Sequence, residues 1–175
     1  MTMRFLFTTG SIVTIALLSS CSSKPAPQKK EIVYTNSAEI DEWAATGTIK
    51  ESRNTHSGKY VCVLDSATEY SLAFVKSISE FGDSLPDSVS FSYWIFMKKG
   101  EAGAKTVLTI DNPQKNIAYT SKPIKEKVKE MNKWIEVTES YAIPKKLGTK
   151  DILRLYVWNS PKETYLVDDF KVVFR

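Results

Sequence analysis

Histidine is nearly absent: His56 is the one imidazole in 175 residues. That excludes a metal centre built from several histidines and a catalytic site that needs two. Cysteine is as scarce, with Cys21 and Cys62 making up the full count of two, too few for a disulfide framework. Charge of one sign is also lacking. Lys and Arg number 24 against 20 Asp and Glu, a formal net charge of +4, too small to argue for nucleic acid. No Gly-x-Ser-x-Gly elbow, phosphate loop or His metal spacing occurs. No apolar run has the length of a membrane span: Phe5 to Leu18 covers only 14 residues, and about 20 are needed. What remains is ordinary globular material, 42% apolar and 25% charged, with 11% aromatic residues. This excludes wholesale disorder and leaves room for one domain.

The short apolar run follows Arg4 and ends in Leu18-Ser19-Ser20-Cys21. This order resembles the bacterial lipobox: a branched apolar residue, two small residues, then cysteine. The resemblance implies that residues 1–20 are a lipoprotein signal peptide and that Cys21 becomes the acylated amino terminus. The mature chain would then sit in the bacterial cell envelope, at the outer membrane or cell surface, held by acyl chains that add ~0.8 kcal/mol per buried methylene. An ordinary secretory signal is the alternative. Residues 21–31 are polar and contain Pro25 and Pro27, which reads as a flexible tether. Residues 32–175 are the domain. Cys62, inside Tyr60–Leu64, reads as a small core residue.

Through the domain the apolar period is two. Val89, Phe91, Tyr93, Ile95 and Met97 share one parity, while Ser90, Ser92, Trp94 and Phe96 share the other. Similar segments are Thr106–Ile110, Ile117–Ser121, Trp134–Ile143, Ile152–Trp158 and Tyr165–Phe174, rich in β-branched and aromatic residues. Gly, Pro and Asn-rich breaks separate them. Several short strands at this spacing predict an all-β, antiparallel β-sandwich. Pro123 to Met131 is the one stretch with helical spacing, through Ile124, Val128 and Met131; it reads as a solvated loop or helical turn, with an anionic-ligand patch as the alternative. Its lysines 122, 125, 127, 129 and 133 are expected to face water, since Glu126 and Glu130 dilute any field for an anionic ligand.

Five phrases in order, His56-Ser57-Gly58-Lys59-Tyr60, Ser92-Tyr93-Trp94-Ile95-Phe96, Lys133-Trp134-Ile135-Glu136-Val137, Leu155-Tyr156-Val157-Trp158-Asn159 and Tyr165-Leu166-Val167-Asp168-Asp169-Phe170, carry a wider likeness. Together they resemble the carbohydrate-binding-module-like, galactose-binding-like β-jelly-roll domains, over about residues 33–174. The resemblance implies a two-sheet jelly roll, often a bound structural calcium, and only a loose association with sugar. Calcium ligands carried over from it fall on Asp168, on Glu39 or Asp41, and on the backbone of Ser57 and Lys59. Parity gives Asp168 a need for partners of its own. With Leu166, Phe170, Val172 and Phe174 it falls on the core set, where a bare carboxylate is costly. Backbone N–H donors at the strand mouth would serve as well as a cation.

Sugar recognition uses flat aromatic faces with a few fixed polar groups. Leu153, Leu155 and Val157 read as core, which turns Arg154, Tyr156 and Trp158 outward. If their strand shares a sheet with the Trp94 strand, then Trp94, Arg154, Tyr156 and Trp158 line one groove with Tyr119 at its edge. Cover by loops or a register change would remove that surface. His56 reads as a turn residue. The fragment Glu39-Ile40-Asp41-Glu42-Trp43-Ala44 resembles a jelly-roll glucanase signature, but Ala44 stands where the second catalytic glutamate is required, so no catalytic residues are assigned. The expected function is a non-enzymatic, lipid-anchored, carbohydrate-binding-module-like domain that binds a glycan. The alternative is a structural or assembly lipoprotein contacting another envelope protein.

Overall fold

The computed structural model describes residues 31–40, 42–44 and 47–175. Cys21, the signal segment and nearly all of the tether lie outside these residues, as does Asp41. Among the described residues ten strands run β1 Ile32–Asn36, β2 Ile49–Glu51, β3 Tyr60–Leu64, β4 Phe74–Ser77, β5 Ser88–Met97, β6 Lys105–Asn112, β7 Lys115–Pro123, β8 Trp134–Ala142, β9 Ile152–Trp158 and β10 Tyr165–Phe174. All pair antiparallel. One sheet has the order β2-β3-β10-β5-β8, with β1 also on β10; the other has β4-β9-β6-β7. The architecture is an antiparallel β-sandwich of jelly-roll type.

Alternation explains the two central strands. In β5 Val89, Phe91, Tyr93, Ile95 and Met97 are buried, and every second residue between them is half-buried. In β9 Leu153, Leu155 and Val157 have no exposure, while Arg154, Tyr156 and Trp158 turn out. The facing sets meet with Phe170, Tyr165 and Leu108 in one core that also holds Cys62. The buried Tyr93 hydroxyl lies 2.6 Å from the Thr106 hydroxyl, and Tyr141 donates to the Thr106 carbonyl at 3.0 Å, so neither buried phenol is left unpaired.

One expectation changes. In β10 the predicted parity breaks in the middle: Asp168 pairs with Trp94, the next paired residue is Lys171 with Ser92, and a bulge lies between. Asp169 takes φ +47° there. The extra residue flips the strand. Tyr165 and Val167 are buried before it and Phe170, Val172 and Phe174 after it, so Leu166 and Asp168 leave the core set. The bulge also sits where β10 passes from its neighbour β3 to its neighbour β1.

Residues 123–131 form one 3-10 turn at Ile124–Glu126, in keeping with the loop or helical turn expected there. Ile124 and Val128 are buried and Met131 is exposed. Not all of its lysines face water freely: Lys122 and Lys127 pair with Glu139 at 3.1 and 2.9 Å.

Candidate functional site

The predicted surface residues divide between the sheets. Trp94 is on β5, in the six-stranded sheet, and Arg154, Tyr156 and Trp158 are on β9, in the four-stranded one. Trp94 therefore belongs to no groove with them. Its outward face is covered by the β2–β3 loop, whose His56 ring stacks on it at 3.9 Å and 13°. Trp134, edge-on to His56, donates its indole N–H to Asn54 of the same loop at 3.2 Å.

The other four residues do come together. Register sets Tyr156 opposite Val107 and Trp158 opposite Lys105 on β6, and Thr109 opposite Tyr119 on β7. Tyr119 is thus on the outward face with Arg154, Tyr156 and Trp158. Val107 is on that parity yet has no exposure, so the outward side chains close over it. Tyr70 joins them: its ring meets Tyr156 edge-on at 5.7 Å and 75°, and it bridges to Trp158. Burial raises the Tyr156 phenol, helped by the nearby Tyr119 and Tyr70 and opposed by Arg154. The phenol stays protonated and available as a donor at neutral pH. Tyr70 and Tyr119 are half exposed, at 52% and 50%.

A cleft of about 420 Å³ opens beside Tyr156, lined among others by Thr48, Thr68, Glu69, Tyr70 and Arg154. Its wall is fixed locally. Asp65 accepts the Ala67 and Thr68 N–H groups at 2.9 and 2.8 Å, a tight turn that also holds its carboxyl below the ordinary range. Ser71 ties this wall to β9 by a hydroxyl that accepts the Val157 N–H at 2.9 Å. Arg154 donates through one nitrogen to both Asp111 oxygens at 2.7 Å. Glu69 pairs with Lys162 at 2.8 Å on the rim, which holds its carboxyl low. Chemically this is a ring-lined, hydrogen-bonding surface. Sequence reasoning missed Tyr70, Glu69, Asp111 and Lys105. Tyr70 stands at the edge of an apolar stretch, where its outward direction has no periodic signal.

Those residues assigned to calcium that the structure describes, Glu39, Ser57, Lys59 and Asp168, gather around one turn. Asp168 has no exposure. Its Oδ2 accepts the N–H groups of His56 and Ser57 at 2.9 and 3.1 Å, and its Oδ1 that of Asp169 at 2.8 Å. Burial raises its carboxyl and these N–H donors oppose the rise. Glu39 Oε1 accepts the N–H groups of Lys59 and Tyr60 at 2.8 and 3.0 Å. Asp169 takes the Ser57 hydroxyl at 2.7 Å and lies 2.5 Å from His56 Nδ1. The turn thus offers N–H donors to both carboxylates, where a cation shell requires carbonyl oxygens. No buried carboxylate oxygen among the described residues lacks a partner, and no three His, Cys, Asp or Glu side chains among them converge as a metal site. Asp41, the other acidic candidate, lies outside the described residues; in the corner as described, N–H donors take up the carboxylates of Glu39 and Asp168.

No protein-family model matches the chain, and no curated protein matches its sequence. Solved structures do match its fold. The CBM22-2 xylan-binding domain from Paenibacillus barcinonensis Xyn10C aligns with TM-score 0.52 and 16% identity, covering 81% of this chain and 99% of that one. A structure described as Family 16 Carbohydrate Binding Module-2 aligns with TM-score 0.50 and 10% identity, over 78% of this chain and 94% of that one. The chain has the fold of a carbohydrate-binding-module-like β-sandwich.

Proposed function

We propose that this chain is a non-enzymatic glycan-binding domain, carried in the cell envelope on acyl chains at Cys21. Glycan is taken up on the outward face of the four-stranded sheet. The observation that carries this is the convergence of Tyr70, Tyr119, Tyr156 and Trp158, with the Arg154–Asp111 pair, beside an open cleft. Aromatic rings pack against sugar C–H faces, and fixed phenol and guanidinium donors hold hydroxyl groups. A shared fold with a xylan-binding domain supports the reading without supplying the ligand.

The position of the face suits a tethered binder. Tyr165 opens β10 opposite Met97, and the loops after Met97 and after Trp158 both cross between sheets at that pole. Ile32 pairs with Phe174 at the opposite pole. Trp158 and Lys105 therefore lie away from the end where the tether enters.

Affinity gel electrophoresis against a panel of polysaccharides tests the reading. Tyr156→Ala is expected to weaken retardation on the order of tenfold, and Trp94→Ala to leave it unchanged. Migration unaffected by every polysaccharide, or a loss confined to Trp94→Ala, overturns it. Cys21 lipidation is tested separately by acyl-chain labelling of wild type and Cys21→Ala.

A further inference from the structure

The ionised side chains on the outward face do not cancel. Strand β9 contributes Arg154, and β6 contributes Lys105 and Asp111. Arg154 and Asp111 neutralise each other, and on the rim Glu69 and Lys162 do the same. Lys105 is left over. Its ammonium lies 5.0 Å from the centroid of the Trp158 ring, its cross-strand neighbour. A cation–π contact of this kind restrains the ammonium while leaving its charge uncompensated. Among the described residues of its strands, the face that presents the tyrosines therefore carries one unpaired positive charge at one end, held in place by an aromatic ring.

Resting on the glycan-binding reading, we infer that the ligand is an acidic glycan, one bearing carboxylated (uronic acid) sugars, with a sugar carboxylate seated at Lys105. A neutral sugar ring lies over Tyr156 and Tyr70, where the guanidinium is already neutralised and offers only hydrogen bonds. The carboxylated unit falls along β9 toward Trp158 and one strand across, at Lys105. Because the indole fixes the ammonium beforehand, little side-chain freedom remains to be lost on binding. A partly exposed ion pair of this kind gives a modest preference, on the order of threefold to fivefold.

Titration calorimetry of the full chain tests this with a neutral polysaccharide and the same backbone carrying uronic acid substituents. Wild type, Lys105→Gln and Lys105→Arg are compared, each checked for an unchanged melting curve. The acidic polymer is expected to bind threefold to fivefold more tightly than the neutral one. The preference disappears in Lys105→Gln, survives in Lys105→Arg, and fades in about 1 M salt, where the screening length is about 3 Å. Equal affinity for both polymers, or an undiminished preference in Lys105→Gln, overturns the acidic-ligand inference and leaves the glycan reading standing. Failure of the wild type to bind either polymer overturns both.

Discussion

Gly58 shows how one residue's missing side chain organises a corner of the molecule. Its φ is +59°, and a Cβ there would lie 2.0 Å from Glu39 Oε1. The carboxylate occupies the space a side chain would fill, in reach of the two following N–H groups. Gly58→Ala therefore both strains the backbone and expels Glu39. Because the displaced atoms are the end of a flexible side chain and its hydrogen bonds are exposed, a loss of about 1–2 kcal/mol in urea unfolding is expected; no measurable loss would mean that Glu39 does not hold this turn. Asp168 makes an opposite pH signature. Its folded-state carboxyl is raised above the ordinary value of 3.8, chiefly by burial. The protonated form is thus favoured by folding, and ionisation weakens the fold as pH rises through the raised value. Asp65 and Glu80, held low by N–H donors and Lys76 respectively, stabilise above their unfolded values and lose that contribution as pH falls through the folded ones. Asp168→Ala, which also strands three N–H groups, is expected to cost about 2–3 kcal/mol at neutral pH. Relative to wild type the cost should grow as pH falls from the raised value toward 3.8. Melting temperatures across pH 4–7 check the sign: a gap that narrows on acidification contradicts the assignment.

Strands carried very different amounts of information about themselves. The alternation of β5 and β9 is written residue by residue, because large apolar and polar or aromatic positions trade places at each step. That is why the outward set Arg154, Tyr156 and Trp158 was readable. Sheet membership was not, since parity is the same whichever strand lies alongside, and Trp94 was placed beside them on that account. The β10 bulge was hidden for a different reason: Asp168 and Asp169 look alike in sequence, and only pairing shows that the pleat slips between them. Glu139 on β8 is a related case. It falls on core parity, opposite Phe91, yet its oxygens reach Lys122 and Lys127, whose ammonium groups also hold the Ser140 and Thr138 carbonyls along the strand edge. Its side chain is 10% exposed against 38% and 39% for the lysines. Removing the glutamate leaves cations that can still reach water. Glu139→Ala should cost only about 1–2 kcal/mol, and Glu139→Leu should lie within about 1 kcal/mol of wild type, because an apolar side chain suits the position and the desolvated carboxylate is gone. A loss of several kcal/mol in Glu139→Leu, measured by denaturant titration, would show instead that the ion pairs hold the two sheets together.

At the scale of the whole molecule the question is how the beginning of the domain is fastened to its end. Calcium is one solution, and the resemblance in the residue phrases suggested it. The coordinates supply another: the turn at residues 56–60 gives N–H groups to Glu39 on one side and to Asp168 on the other, while His56 bridges to Asp169 and lies flat on Trp94. Strand β1 then pairs along the last five residues of β10, and Arg175 reaches Glu31 at 2.6 Å. Each link is direct, with three N–H groups on the Asp168 carboxylate. A metal that bound only the native state would stabilise it by mass action, by about 2.7 kcal/mol at a hundred times its dissociation constant. For a chain of this size that is a shift of several degrees in melting temperature. Melting in excess chelator and in millimolar calcium should therefore give the same temperature to within about a degree. Glu39→Gln, which keeps an acceptor oxygen but loses the charge, should be destabilised equally in both. A calcium-dependent rise of several degrees, abolished by Glu39→Gln, would mean that the turn reorganises to offer its carbonyls and that the cation is the real fastener.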